Sequence, residues 1–330
     1  MKKKWGMTLL ILTIFATILT GCGGKDTAAP ENAVKTEQAK KEDKTTQEQT
    51  RVIEHAMGKT EIKGTPQKVV VLTNESTEAV LELGVIPVGA VKSGVGETWF
   101  PHILEEMKNV PELGEESLPN LEAIANLKPD LIFGNKVRHE EIYTQLSDIA
   151  PTVFSEDLAG RWKENFTLYA KALNKETEGK EAMSKYDAHV EKVKTNLSDQ
   201  LTMEISIVRF LPTTVRIYQK DTFAGTILSD VGFARPASQD VDNFMEVITE
   251  EQMGSMDGDV MFYFNADYDA EKGGTKMQEE WMTHPLYQKL NVAKNNKAFK
   301  VDEIIWNLSG GIKSANLLLD DITSNMENLK

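Results

Sequence analysis

Pro119-Asn-Leu-Glu122-Ala-Ile-Ala-Asn-Leu-Lys-Pro-Asp130-Leu-Ile-Phe133 reads as a helix, a break and a buried strand within one short stretch. Asn120 suits a helix start, because its side chain accepts one of the N–H groups that the first turn leaves unbonded. Pro129 stops the helix after Leu127. Asp130 then leads into an uninterrupted apolar run, the pattern of a strand covered on both faces. Upstream, Lys68-Val-Val-Val-Leu72 is a second such run. Thr73-Asn-Glu-Ser-Thr-Glu78 reads as a loop holding several possible helix caps, Ala79–Leu83 as a helix closed by Gly84, and Val85–Val91 as a returning strand. Downstream, Glu140–Ile149 has a helical pattern and Thr152-Val-Phe154 a strand pattern. Strands and helices alternate over short connections, which predicts a parallel, doubly wound α/β lobe.

Residues 162–199 interrupt that alternation. They lack proline, and apolar side chains recur at helical spacing at Phe166, Tyr169 and Leu173, then at Ala182, Tyr186, Val190, Val193 and Leu197. Asn174 and Gly179 mark a break between a short helix and one of about 20 residues, ~30 Å long at 1.5 Å per residue. Strand patterns resume at Ile205–Phe210, Val215–Tyr218, Val260–Phe264 and Ala298–Val301, so a second α/β lobe is expected. The halves echo each other. Glu251-Gln-Met-Gly-Ser-Met-Asp-Gly-Asp259-Val-Met261 repeats the order of helix, break, Asp and buried strand, and Glu251 precedes Asp259 by the same interval as Glu122 precedes Asp130. Twin lobes joined by one helix leave a cleft between them, and ligand pockets concentrate at such interfaces.

The ends of the chain speak to location. Lys2, Lys3 and Lys4 precede an apolar run, Met7–Leu19, that is too short to span about 30 Å of hydrocarbon but suits a signal-peptide core. It ends in Leu19-Thr20-Gly21-Cys22, a pattern resembling the bacterial lipobox, and Cys22 is the only cysteine, which excludes internal disulfides and cysteine metal sites. Residues 1–21 are thus expected to be a signal peptide, and 22–55 a lipidated cysteine followed by a polar linker. The remaining divisions are an N-terminal lobe at 56–161, the helical segment at 162–199 and a C-terminal lobe at 200–330. Removing residues 1–21 takes away three lysines and no acid, moving the formal charge from −14 to −17. Bulk electrostatics of that sign exclude nucleic acid as a partner, and a lipid anchor is the fitting tether to an anionic surface.

With these stretches in place the chain resembles the substrate-binding lipoproteins of iron-siderophore and vitamin B12 ABC transporters. The likeness is carried by Lys68–Leu72, Leu83–Gly89, Pro119–Asp130 and Leu146–Val153. Phe223-Ala-Gly-Thr-Ile-Leu-Ser-Asp-Val-Gly232, Glu250–Met253 and Trp306-Asn-Leu-Ser-Gly-Gly311 carry it further, so that it covers roughly residues 60–330. Within the family the chain looks nearest to Gram-positive binders of hydroxamate and citrate-hydroxamate siderophores. The resemblance implies two Rossmann-like lobes joined by a single long interlobe helix, the class III solute-binding architecture. It also implies that Glu122 and Glu251, one per lobe, dock on a permease dimer. The implied protein is a monomer on the outer face of the cell membrane.

A ferric siderophore already fills the metal's coordination positions, so neither a protein–iron bond nor a resident cofactor is expected. His55, His102, His139, His189 and His284 have no metal-ligand spacing. The cleft should instead offer cations and aromatic faces, and arginine's planar fork suits carboxylates and other delocalised oxyanions. Of the six arginines, Arg209 ends a strand run where α/β pockets open, in an Arg-Phe context shared with hydroxamate binders. Arg138 follows the corresponding strand of the first lobe. Trp306 matches an aromatic of hydroxamate pockets, and Trp162, Tyr218, Phe223, Asn135, Lys92 and Thr73 are further candidates at strand ends and loops. No nucleophile elbow, phosphate loop or dinucleotide fingerprint is present, which argues against an enzyme. Vitamin B12 or haem, the latter on Tyr143, Tyr218 or Tyr263, and a surface sensor or adhesion role are the alternatives.

Overall fold

The computed structural model describes residues 50–327 and residue 329. Two antiparallel hairpins and two larger sheets account for its strands. Strands β1 (Thr50–His55) and β2 (Gly58–Lys63) form the first hairpin. β3 (Val69–Val71) and β4 (Gly89–Ala90) follow, and then the short hairpin of β5 (Gly114–Glu115) and β6 (Leu118–Pro119). With β7 (Leu131–Asn135) and β8 (Thr152–Ser155), β3 and β4 make a fully parallel sheet in the order β4-β3-β7-β8. The second sheet holds β9 (Ile205–Phe210), β10 (Val215–Tyr218), β11 (Met245–Ile248), β12 (Val260–Asn265) and β13 (Ala298–Lys300), in the order β11-β10-β9-β12-β13. Here β9, β12 and β13 are parallel, while β10 runs antiparallel to both its neighbours.

The repeated aspartates explain part of this arrangement. Asp130 Oδ2 accepts the backbone N–H groups of Gln67 (3.0 Å) and Lys68 (2.9 Å), fixing the start of β3 against the start of β7. Asp259 Oδ2 does the same for Glu204 (2.9 Å) ahead of β9, beside β12. The echo in the sequence is therefore a pair of equivalent strand-start clamps.

Between the sheets the chain forms helix Trp162–Ala172 and then helix Glu176–Asn196, whose 21 residues span ~30 Å. Asn174, with φ 60°, makes the turn between them. Gly179 does not break the helix as its sequence suggests. It is a buried residue inside the long helix, where an added Cβ would lie 2.7 Å from Ala170 Cβ, so it lets the two helices touch. Helix Asn74–Glu82 also begins earlier than expected. Thr73 Oγ1 accepts the N–H of Ser76 (3.1 Å), and Ser76 Oγ accepts that of Thr73 (3.3 Å), a reciprocal cap that turns the anticipated loop into the first turn of the helix. The strand anticipated at Val85–Val91 shrinks to β4.

One apolar core runs through both halves, from Val69, Val71 and Phe133 on the parallel sheet to Ile207, Phe262 and Phe264 on the mixed one. A buried polar joint reinforces it. Glu78 accepts the N–H (2.9 Å) and the hydroxyl (3.0 Å) of Ser314, in the first turn of the final helix Ile312–Glu327, and also contacts His102 Nε2 at 2.6 Å. At the other end the linker expected through residue 55 stops sooner. Ile53 and Ile62 are buried in the core, and Arg51 donates to the carbonyls of Lys171 and Ala172 that end helix Trp162–Ala172. Cys22 and the expected signal peptide lie outside the described residues. Among those that are described, no helix is long and apolar enough to cross a membrane.

Replacing Gly179 by valine should drive the two contacting helices apart. Overpacking of this kind costs about 1–3 kcal/mol, so calorimetry should show a thermal midpoint several degrees lower. An unchanged midpoint would mean that the contact tolerates the extra methyl groups.

Candidate ligand-binding cleft

The side chains of β9 alternate, as the two-residue period of a strand requires. Val208 and Phe210 face one cluster of the core, while Ile205 and Ile207 face the other, and Arg209 lies on the second face. The short connection Leu211–Thr214 returns the chain as β10 with Arg216 directly opposite Arg209. Two guanidinium groups are thereby placed side by side on one face, together with Tyr218. Like charges in directly opposed strand positions are destabilising, so the pair has to be offset by other groups.

Part of the offset comes from a cluster built on the following elements. Arg209 Nη2 forms an ion pair with Glu303 Oε1 at 2.6 Å and also contacts the Tyr268 hydroxyl, while Nη1 donates to the Tyr218 hydroxyl at 3.1 Å. Tyr268 in turn donates to Glu303 at 2.9 Å. Burial alone would lower the pKa of Arg209, but the oxygens of Tyr218, Glu303 and Tyr268 outweigh it and hold the pKa above its ordinary value. Among the described residues, Arg216 has no such carboxylate partner. Its Nε, like that of Arg209, is buried without a hydrogen-bond partner.

Arg209, Arg216, Tyr218 and Tyr268 form one wall of a cleft of about 1260 Å³, with Glu303 behind them. The opposite wall comes from the ends of the parallel strands and the loops that follow them. Arg138 reaches Glu116 Oε1 at 3.2 Å and leaves half its side chain exposed. Lys92 pairs with Glu115 at 2.7 Å, and Arg161 follows the loop after β8. Four of the six arginines therefore line one cavity in a chain of net charge −14. Exposed carbon surface from Val137, Phe244 and Tyr268 accompanies them. Carboxyl groups are present as well. Burial pushes Glu116 above the usual carboxylate range, against the pull of Asn74 and Arg138. Glu75, buried on helix Asn74–Glu82, is pushed up to about 8 by burial, against hydrogen bonds from Asn165 and Tyr169.

Of the anticipated pocket residues, Arg209, Arg138, Tyr218 and Lys92 line the cleft. The other five do not. Trp306 is fully buried, its ring tilted against Phe262 at 4.7 Å between centroids and its Nε1–H donated to Asp321 (2.7 Å), and the cleft is reached instead by Asn307–Gly310. Trp162 packs edge-on against Tyr186 and Phe223 in the core, which accounts for Phe223 too. Thr73 is spent on its helix cap, and Asn135 donates to Ser155 Oγ (2.9 Å) to tie β7 to β8. In each case a local structural bond or apolar packing claims the side chain. Sequence reasoning overlooked Arg161, Arg216, Tyr268, Phe244 and Glu303. Arg216 was recoverable, because a tight hairpin that pairs Phe210 with Val215 must pair Arg209 with Arg216.

Glu122 and Glu251 are exposed and lie outside the cleft lining. Each sits at the start of a capped helical segment. Asn120 caps the first, and Thr249 with Gln252 the second. Among the described residues, no three or more His, Cys, Asp or Glu side chains are grouped to hold a metal ion.

Residues 69–304 match the family described as periplasmic binding protein. The chain is 46% identical to the Bacillus subtilis (strain 168) protein named "Probable siderophore-binding lipoprotein YfiY", over 98% of both chains. It is 32% identical to the Fe(3+)-citrate-binding protein YfmC of the same strain, over 84% of this chain and 87% of that protein. The crystal structure of Staphylococcus aureus SirA complexed with staphyloferrin B aligns with a TM-score of 0.80 at 37% identity, covering 84% of this chain and 99% of that one. On a match that takes in both sheets and the long helix between them, the chain belongs to the periplasmic binding protein family.

Proposed function

We propose that this chain captures an anionic ferric siderophore of the citrate or citrate-hydroxamate type in its cleft and delivers it to the permease of an ABC importer. The observation that carries this reading is the convergence of Arg138, Arg161, Arg209 and Arg216, with Lys92, on one cavity of an otherwise acidic protein. Planar forks of this kind match carboxylate and hydroxamate oxygens, and relatives named for siderophore and ferric-citrate binding support the same ligand class. The protein would grip the chelator and leave the iron to it, with no resident cofactor. Haem has less support, since the Tyr218 hydroxyl is engaged by Arg209, and Tyr143 and Tyr263 are absent from the cleft lining.

The remaining parts of the reading concern delivery. A diacylglyceryl group on Cys22 would hold the mature protein, as a monomer, on the outer face of the cell membrane. Glu122 and Glu251, exposed on the two halves, would meet basic side chains of the permease dimer.

Quenching of tryptophan fluorescence by ferric staphyloferrin B, ferric citrate, a ferric citrate-dihydroxamate, a ferric catecholate, cobalamin and haem tests the ligand class. Response to cobalamin or haem alone would falsify it. Arg216→Ala should weaken the best ferric ligand by about 1.5–3 kcal/mol, roughly ten- to a hundred-fold, and Arg209→Ala at least as much, because it also leaves the half-buried Glu303 without its cation. Equal affinity in Arg216→Ala would remove that residue from the site. The double change Glu122→Arg and Glu251→Arg should leave the titration intact but abolish iron uptake by cells. Normal uptake would rule out docking through these carboxylates.

A further inference from the structure

Glu75 is the one carboxyl in the cleft wall that is almost fully buried yet has no cation beside it among the described residues. Its oxygens accept from Asn165 Nδ2 at 2.9 and 3.1 Å and from the Tyr169 hydroxyl at 3.1 Å, all neutral donors on helix Trp162–Ala172. The groups around it only add negative charge or are engaged elsewhere. Glu116 and Asp157 face it and disfavour its ionisation. Of the cations nearest those two acids, Arg138 is spent on Glu116, and Arg161 lies by Asp157. On its own helix Glu78 is held by Ser314 and His102, and Glu82 lies 3.9 Å from Lys313. On the facing helix Lys163 pairs with Asp230, and Glu164 is a further acid in the lining. Ser155 Oγ lies 3.0 Å from the Tyr169 hydroxyl oxygen and supplies no charge.

We infer that Glu75 meets the bound chelate as a neutral carboxylic acid and donates a hydrogen bond to one of its oxygens, so that capture of an anionic chelate requires this proton. The inference rests on the ferric-siderophore reading given above. The charged groups of an anionic chelate present acceptor oxygens, and an ionised Glu75 would repel them, whereas the acid form supplies the donor that an arginine supplies elsewhere in the cleft. Burial without a counter-ion is what keeps the proton in place. The value of about 8 for this group agrees with a form that is protonated at neutral pH and charged in mild alkali.

The test is the ratio of affinities at pH 7 and pH 9, measured by tryptophan quenching with ferric staphyloferrin B and a ferric citrate-dihydroxamate. Wild type should lose about tenfold more affinity across this interval than Glu75→Gln, since ionisation of a group near 8 removes roughly nine-tenths of the competent form. Hydrolysis of the chelate itself affects both proteins alike. Tyr169→Phe, which withdraws a donor from the carboxylate, should move the wild-type loss to higher pH. Thermal melts give a reading that needs no ligand. The folded state binds the Glu75 proton more tightly than the unfolded one, so wild type should fall progressively behind Glu75→Gln as pH rises from 5 to 8. Parallel pH profiles for the two proteins, in binding or in melting, overturn the proton role while leaving the siderophore reading intact. Failure of wild type to bind either chelate at pH 7 overturns both.

Discussion

Two arginines forced to face each other across a tight hairpin are the constraint around which the cleft is organised. Strand geometry leaves Arg209 and Arg216 no choice of side, because the residues flanking them fill the core on the opposite face. The repulsion is met by a carboxylate brought from the far end of the chain. Glu303, with two tyrosine hydroxyls, takes up one guanidinium and leaves the other undercompensated. A guanidinium whose Nε–H is buried without a partner is costly in isolation. It becomes an asset when an anion arrives, because the binding energy then includes relief of a penalty carried by the empty protein.

Such a site is useful only if its two walls stay in reach of one another. The Glu78–Ser314 joint, the shared core and the stiff helix Glu176–Asn196 tie the halves together behind the cleft. Glu78 satisfies the first turn of the final helix from a different element, so the connection depends on hydrogen bonds that water cannot easily replace.

The fold was legible wherever periodicity was unambiguous. Strands β9 and β10 fall where the sequence pattern puts them, and the aspartate echo foretells the twin strand-start clamps. Errors arose where a single side chain decides between two local structures. Thr73 and Ser76 cap each other and convert a loop into a helix, a reciprocal bond that propensity does not register. Gly179 is a breaker by composition but a contact residue by packing, because its partner Ala170 lies across an interhelical turn. In the cleft, charge was a better guide than aromaticity. Arg138 and Arg209 line it, whereas Trp162 and Trp306 are drawn into the interior by their size. Glu303 was invisible because only the tertiary fold brings it to Arg209.

The bond from Arg51 to the closing carbonyls of helix Trp162–Ala172 has a mechanical side. Any pull on the chain ahead of Thr50 is received first by the β1–β2 hairpin, and Arg51 passes it to the end of that helix. That helix also carries Asn165 and Tyr169, the donors that hold Glu75. Tension arriving at Thr50 is therefore shared with the element that braces one wall of the cleft.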